Sequence, residues 1–221
     1  MIGKIKKFNF KSLLIINTFA LIVTSYFFNN FILIGVFTLF FFISFFATRS
    51  GLEIIRKFNL FQNIRIEGPS NHYKKKETPT MGGIFMLVPF LIFLLIMSIN
   101  LGSLKLFLLF LTIFGFFITG VLDDYLSIKN KENTGLKTKE KFVLQSIISI
   151  IFILLAYEKN LINPLITVSD SWGINMNILI LPISFLVLVG ISNSVNLTDG
   201  LDGLAAGCSG IVFYGLGTEI L

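Results

Sequence analysis

The sequence is poor in the side chains on which disulfides and zinc sites depend. Its single cysteine, Cys208, cannot form a disulfide within the chain, so nothing indicates an oxidised extracellular domain. Its single histidine, His72, excludes a zinc site built from several histidines. Charged residues make up only 14% of the chain. The basic residues also lack interleaved aromatic side chains, so no nucleic-acid partner is expected.

Long apolar runs are abundant instead. The 221 residues are 54% hydrophobic, and the mean hydropathy of +0.85 places the chain among membrane proteins. The fold class predicted is all-α, a polytopic transmembrane protein with one transmembrane domain over residues 1–221. Membrane spans are predicted at residues 31–47, 81–99, 104–122, 142–157 and 176–191, and another begins at residue 204.

The first apolar run, residues 13–28, can be interpreted in two ways. Lysines precede it, as in a secretory signal, but no small-residue cleavage site follows it. We therefore expect a retained segment. It is shorter than the roughly 20 residues of a straight crossing, so it either spans the membrane or lies at its interface.

The basic residues orient the chain in the membrane. Loops 49–80 and 123–141 hold seven and five Lys or Arg residues, whereas the opposite connections hold only Lys105 and Lys159. The positive-inside rule places the two basic loops in the cytoplasm. Counting spans then places residues 192–203 on the same side. The basic loops, Asp123 with Asp124, and the polar stretch after residue 192 are therefore expected to meet at one face.

That polar stretch carries amides and carboxylates at a spacing of three residues, namely Asn193, Asn196, Asp199 and Asp202. On a helix this spacing keeps the four side chains drifting slowly around one side. Acidic side chains at the end of a span are costly in hydrocarbon and are therefore functional candidates. The alternative is a polar interfacial loop that is rich in Asp and Gly.

The charged groups at this face suit phosphoryl transfer. Asp123 and Asp124 are adjacent, so on a helix they diverge by about 100° and are expected to have separate roles. Carboxylates near substrate phosphates suit Mg²⁺. Nearby lysines can neutralise phosphates as point charges, the candidates being Lys75, Lys76, Lys139 and Lys141. A membrane setting favours a lipid phosphate as one substrate.

Five short motifs occur in a fixed order along the chain: GPSNH at 68–72, TPTMGGI at 78–84, DDY at 123–125, GL at 135–136 and NSVNLTDGLDGLA at 193–205. Together they resemble the phospho-N-acetylmuramoyl-pentapeptide transferase family, within the polyprenyl-phosphate glycosyl-1-phosphate transferase superfamily. The resemblance covers roughly residues 31–221. Two positions depart from the family pattern: Ser127 stands where a lysine is common, and Glu77 where a glycine is usual.

The resemblance implies transfer of phospho-MurNAc-pentapeptide from its UDP carrier to undecaprenyl phosphate, giving lipid I and UMP. This reaction would be the first membrane step of peptidoglycan synthesis, at the cytoplasmic face of the bacterial inner membrane, with Mg²⁺. Members of the family are often dimeric, so the implied partners include a second copy besides the two substrates and the lipid bilayer. The related sugar transferases of the superfamily, or a non-enzymatic fragment similar to a transporter, are the alternatives.

The resemblance also implies roles for individual residues. The catalytic residues would be Asp123, Asp124, Lys139 and Lys141. The substrate-binding residues would be Lys75, Thr80, Asn193, Asn196, Asp199 and Asp202. The family fold has ten spans, of which this chain would hold about six. The expected metal ligand would lie beyond Leu221, so this chain alone is expected to be inactive.

Overall fold

The structure is a computed structural model that describes residues 31–61, 79–130, 135–169, 172–199 and 203–220. Its helices and strands, in chain order, are α1 Phe31–Lys57, α2 Gly82–Asn100, α3 Leu104–Asn130, α4 Thr138–Glu158, β1 Leu165–Ser169, β2 Trp172–Asn175, a short 3₁₀ turn at Asn177–Leu179, α5 Ile180–Thr198 and α6 Leu204–Ile220. The predicted N-terminal run at residues 13–28 lies outside the described residues.

Five of the described helical segments are long and apolar enough to cross a membrane: Thr38–Lys57, Gly82–Asn100, Leu104–Asn130, Thr138–Glu158 and Asn177–Thr198. These confirm the all-α polytopic class. Large apolar side chains on them face outward, as with Ile99 and Leu186, each 68% exposed. Such exposure is expected where lipid rather than water surrounds the bundle. The last helix, α6, has 17 residues, a little short of the roughly 20 needed for a straight crossing.

Helices α1 to α6 pack mainly against their neighbours in sequence. Short connections produce this arrangement: α2 and α3 are joined by a turn at residues 101–103 in which Gly102 has φ +56°, a conformation that glycine adopts without strain. Aromatic contacts reinforce the packing of α1 on α2, where the rings of Phe40 and Phe93 lie 4.4 Å apart between centroids. The core is small and includes Ile55 and Leu91.

Helix α3 extends beyond the apolar run that predicted it. The expected span ended at residue 122, with Asp123, Asp124 and Lys129 in a loop, but all three residues lie within the helix. Its 27 residues correspond to a length of about 40 Å at roughly 1.5 Å per residue. A hydrocarbon core is about 30 Å thick. The last turns of α3 therefore carry the acidic pair to the membrane boundary on a rigid helix.

A β-hairpin connects α4 to α5 at the opposite end of the bundle. Strands β1 and β2 pair antiparallel, with Leu165 opposite Asn175 and Ile166 opposite Ile174. The sequence distinguished this connection only by its near lack of basic residues. Because the hairpin follows the carboxyl end of α4, it lies at the end of the bundle away from the acidic pair.

A close contact between α1 and α2 depends on a glycine. A Cβ at Gly51 would overlap the ring of Phe85, so we expect Gly51→Ala to lower the free energy of unfolding by roughly 1–3 kcal/mol. Thermal unfolding in detergent micelles measures this difference. Gly120→Ala is the matched control, because a Cβ there meets no atom of the described chain within 4 Å. Equal unfolding temperatures for the two variants would contradict the packing.

Candidate functional site

The connection between α3 and α4 folds back onto Asp123. The backbone N–H of Leu136 donates to Asp123 Oδ1 at 2.9 Å. At the preceding residue, a Cβ on Gly135 would overlap the backbone carbonyl of Asp123, so only glycine fits this approach. The GL motif at 135–136 thus has a physical role. It fixes one carboxylate oxygen of Asp123 against the start of α4.

Lys141 joins three helices at this end of the bundle. Its Nζ donates to Asp123 Oδ2 on α3 at 2.7 Å and to Asn196 Oδ1 on α5 at 3.3 Å. The side chains of Lys141 and Asp123 are only 17% and 24% exposed. The first turn of α4, which carries Lys141, is itself stabilised, since the Lys137 N–H donates to Glu140 Oε2 at 2.9 Å. The acidic pair, a lysine and the Asn/Asp stretch therefore meet, as the span count predicted.

Asp124 makes its hydrogen bonds with different partners. Its Oδ2 accepts the backbone N–H of Met81 at 3.1 Å, and its carboxylate also bonds the Thr80 side chain. Met81 precedes α2 in the left-handed conformation, with φ +64°, which is unfavourable for a residue with a side chain. Asp124 therefore secures a strained turn at the start of α2.

The same turn brings together the described residues on either side of positions 62–78. The Thr80 N–H donates to the Leu60 carbonyl at 3.1 Å, and Phe61 pairs with Pro79 in an antiparallel bridge. The two ends of that segment are thus held together beside Asp124. Lys75, a predicted substrate-binding residue, belongs to this segment and lies outside the described residues.

The two candidate lysines of α4 differ in their surroundings. Lys141 is paired with Asp123, whereas Lys139 is exposed and forms no ion pair among the described residues. The resemblance implied a basic residue near the acidic pair at Lys139 or Lys141. The structure brings Lys141 to that position.

The residues of the Asn/Asp stretch differ in their surroundings, since some contact α4 and others are exposed. Asn193 turns toward α4, where its Nδ2 donates to Gln145 Oε1 at 2.8 Å, while Asn196 reaches Lys141 one turn later. Asp199 is exposed just after the last residue of α5. Asp202 lies outside the described residues.

Gln145 is the residue that sequence reasoning missed. It is 2% exposed, and its Nε2 donates to Ser192 Oγ at 3.1 Å. Two signals could have indicated it: a carboxamide inside an apolar run is costly unless paired, and it follows Lys141 by four residues, which places both on one helix face.

The described residues do not form a complete magnesium site. They contain no group of three or more His, Cys, Asp and Glu side chains that could hold a metal ion. Side-chain oxygens of Asp123 and Asn196 both accept hydrogen bonds from Lys141 Nζ. An ammonium has three donors, and two of them make the bonds to Asp123 and Asn196.

Comparison with known proteins assigns the class. The sequence profile of glycosyl transferase family 4 matches residues 106–220. This range is just over half of the chain and includes Asp123, Asp124, Lys141 and Asn196. The chain belongs to glycosyl transferase family 4.

Individual relatives carry more specific names than the family profile. The chain is 83% identical over 221 residues to a phospho-N-acetylmuramoyl-pentapeptide-transferase of Prochlorococcus marinus (strain MIT 9215), covering 100% of this chain and 62% of the relative. A protein of the same name from Halalkalibacterium halodurans is 38% identical over 164 residues, which cover 73% of this chain and 50% of the relative. These similarities confirm the resemblance drawn from the motifs. The chain spans about 62% of the length of the first of these relatives.

The separate partners of the acidic pair predict separate effects on backbone protection. Asp124→Ala removes the acceptor of the Met81 amide, and Asp123→Ala removes that of the Leu136 amide. Since each bond involves a charged acceptor, we expect hydrogen exchange to accelerate about tenfold or more at that amide. Exchange measured at single amides checks this, and each variant is the control for the other. Acceleration of both amides by either substitution would contradict the separation.

Proposed function

We propose that this chain supplies part of the site for the reaction for which its relatives are named, the transfer of phospho-MurNAc-pentapeptide from UDP to undecaprenyl phosphate. The similarity of the whole chain to those relatives supports the reaction. The single structural observation that carries the proposal is the bridge from Asp123 through Lys141 to Asn196. It combines a carboxylate, a cation and an amide where three helices meet.

The chemistry that this proposal requires is a phosphoryl displacement. An oxygen of the lipid phosphate attacks the phosphorus that bears the sugar, and a new P–O bond forms. The P–O bond to the other phosphate of UDP breaks, and UMP leaves with that oxygen. The products are UMP and the lipid-linked diphosphate sugar, lipid I. Catalysis of such a step depends mainly on positioning and on neutralising charge.

The paired side chains fit these requirements. Lys141 is held at two of its three donors, so a phosphate oxygen that takes the third meets a cation already in position. Asp123, itself fixed by the Leu136 N–H, holds Lys141 in place. We assign Lys141 to phosphate neutralisation and Asp123 to orienting Lys141 and, through its ammonium, the lipid phosphate.

The position of the site along the helices favours an enzyme of the membrane surface over a transporter. Transporter sites lie near the bilayer midplane. Here Lys141 lies in the first turn of α4, and Asp199 directly follows the last residue of α5. Exposed Arg56 and Lys57 end α1 on the same side. This concentration of positive charge supports a cytoplasmic site, where the UDP-linked substrate would bind.

Magnesium dependence and dimerisation rest on the resemblance. Mg²⁺ would shield the diphosphate of the nucleotide substrate. Since the described residues lack a three-carboxylate cluster, we propose that this ion is held largely by substrate phosphates and by ligands outside the described residues. Loss of UMP release with EDTA, restored by added Mg²⁺, tests the magnesium dependence. The mass of the purified protein in detergent tests the homodimer.

A chimaera tests the role of Lys141. Residues 1–221 are joined to the remaining part of the Prochlorococcus relative, and UMP release is measured in lipid with both substrates. We expect Lys141→Met to lower the rate on the order of 10²-fold, because preorganised charge at the phosphate is lost. Lys141→Arg should be intermediate, since guanidinium keeps the charge but not the compact geometry.

The matched control is Lys159→Met, at the other end of α4, where the lysine forms an ion pair with its neighbour Glu158. This variant should retain the activity of the chimaera. Full activity of Lys141→Met would remove the assignment of Lys141.

The unmodified 221-residue chain is the companion experiment. We expect it to release no UMP under conditions in which the chimaera and the complete relative are active. Substitution of UDP-GlcNAc for the muramoyl substrate distinguishes the related sugar transferases, because turnover of that substrate alone would change the proposed specificity. An inactive chimaera beside an active relative would contradict the proposed reaction.

A further inference from the structure

Gln145 connects α4 to α5 one turn below the proposed site. Its Oε1 accepts a hydrogen bond from Asn193 Nδ2 at 2.8 Å, and its Nε2 donates to Ser192 Oγ at 3.1 Å. The side chain is 2% exposed. Both ends of one buried carboxamide are therefore used by two consecutive residues of the neighbouring helix.

These contacts form one of two rungs between antiparallel helices. Gln145 follows Lys141 by four residues on α4, and Asn196 follows Ser192 by four residues on α5. Four residues are about one helical turn. When Gln145 meets Ser192 and Asn193, the next turn toward the helix ends brings Lys141 opposite Asn196, as the 3.3 Å contact between them shows.

The rung at Gln145 is the better placed of the two to set the position of α5 along α4. Apolar packing gives little preference for one register in lipid, so hydrogen bonds and close packing must supply it. A shift of α5 by one residue would leave a buried carboxamide without its partners, which is unfavourable in a low-dielectric interior. The rung between Lys141 and Asn196 lies nearer to solvent, where such a shift is less costly.

We propose that Gln145 is a positioning residue that holds α5 at the register in which Asn196 reaches Lys141. It acts through Asn193 and Ser192 and touches no substrate. The inference rests on the proposed function only in that Lys141 and Asn196 belong to the proposed site. Its test does not measure enzymatic turnover. The positioning role of Gln145 can therefore be disproved while the proposed reaction stands, and the proposed reaction can be disproved while the positioning role stands.

The experiment measures how fast an amine-acylating reagent modifies Lys141 in the 221-residue chain, reconstituted in lipid nanodiscs and analysed by mass spectrometry. Lys139 in the same molecule is the internal standard, because its side chain is exposed. Asn196→Ala gives the rate that follows direct loss of the bond from Lys141 to Asn196. Ser149→Ala is the matched control, since Ser149 lies one turn further on, is fully buried and has no hydrogen-bond partner in the described chain.

We expect Gln145→Leu to raise the ratio of Lys141 to Lys139 labelling about threefold, to the value of Asn196→Ala, because one hydrogen bond is lost in each. Ser149→Ala should leave the ratio unchanged. Combined with Asn196→Ala, Gln145→Leu should add nothing further, since both act on the same contact. If Gln145→Leu does not assemble, Gln145→Ser is used with the same expectation.

Gln145→Glu separates hydrogen bonding from simple filling of space. A neutral Glu side chain offers one acceptor and one donor, the same pattern that Gln145 uses here. The proposal therefore expects Glu to preserve protection of Lys141 and Leu to lose it. A residue that only fills space would show the opposite order, because Leu is the better apolar filler. That reversed order, or an added effect of Gln145→Leu in the Asn196→Ala background, would overturn the proposal.

Discussion

The ion pair between Lys141 and Asp123 is the contact on which the arrangement of the candidate site depends. It joins α3 to α4 at 2.7 Å, and the same ammonium extends to Asn196 on α5. An exposed ion pair of this kind would contribute little to stability. Here both side chains are mostly shielded from solvent, and Asp123 is also fixed by the Leu136 amide. Removal of either partner would leave a charge in a confined position, so the pair and the tight turn at Gly135 depend on each other.

Helix geometry explains why the adjacent carboxylates of Asp123 and Asp124 have different hydrogen-bond partners. Successive residues point about 100° apart, so on α3 Asp123 faces α4, while Asp124 faces the start of α2. The first carboxylate accepts hydrogen bonds from the Lys141 ammonium and from the Leu136 backbone N–H. The second meets a backbone N–H in a strained turn. Adjacent carboxylates on one helix can thus take part in separate contacts, one between two helices and one at the start of a third helix.

Much of this was accessible from the sequence, and the exceptions have physical causes. Apolar runs located the spans, and the distribution of lysines brought Asp123, Lys141 and Asn196 to one face. The predicted span ended at residue 122, short of the end of α3, because hydropathy falls at Asp123 whereas the helix continues to Asn130. The left-handed Met81 could not be predicted, since its conformation depends on Asp124, 43 residues away. The hairpin at Leu165–Asn175 depends on cross-strand pairing that composition does not reveal.

The location of the polar contacts follows from the solvent. Between helices in lipid, apolar side chains gain little by meeting each other, so hydrogen bonds and close packing determine how the helices align. The bonds of Lys141 and Gln145 to α3 and α5 all lie toward the end of the bundle that carries Asp123. At the opposite end, with the turn at Gly102 and the exposed hairpin, the side-chain hydrogen bonds given for the described residues join near neighbours in sequence. Polar contacts therefore align the helices at the end of the bundle that carries the proposed site.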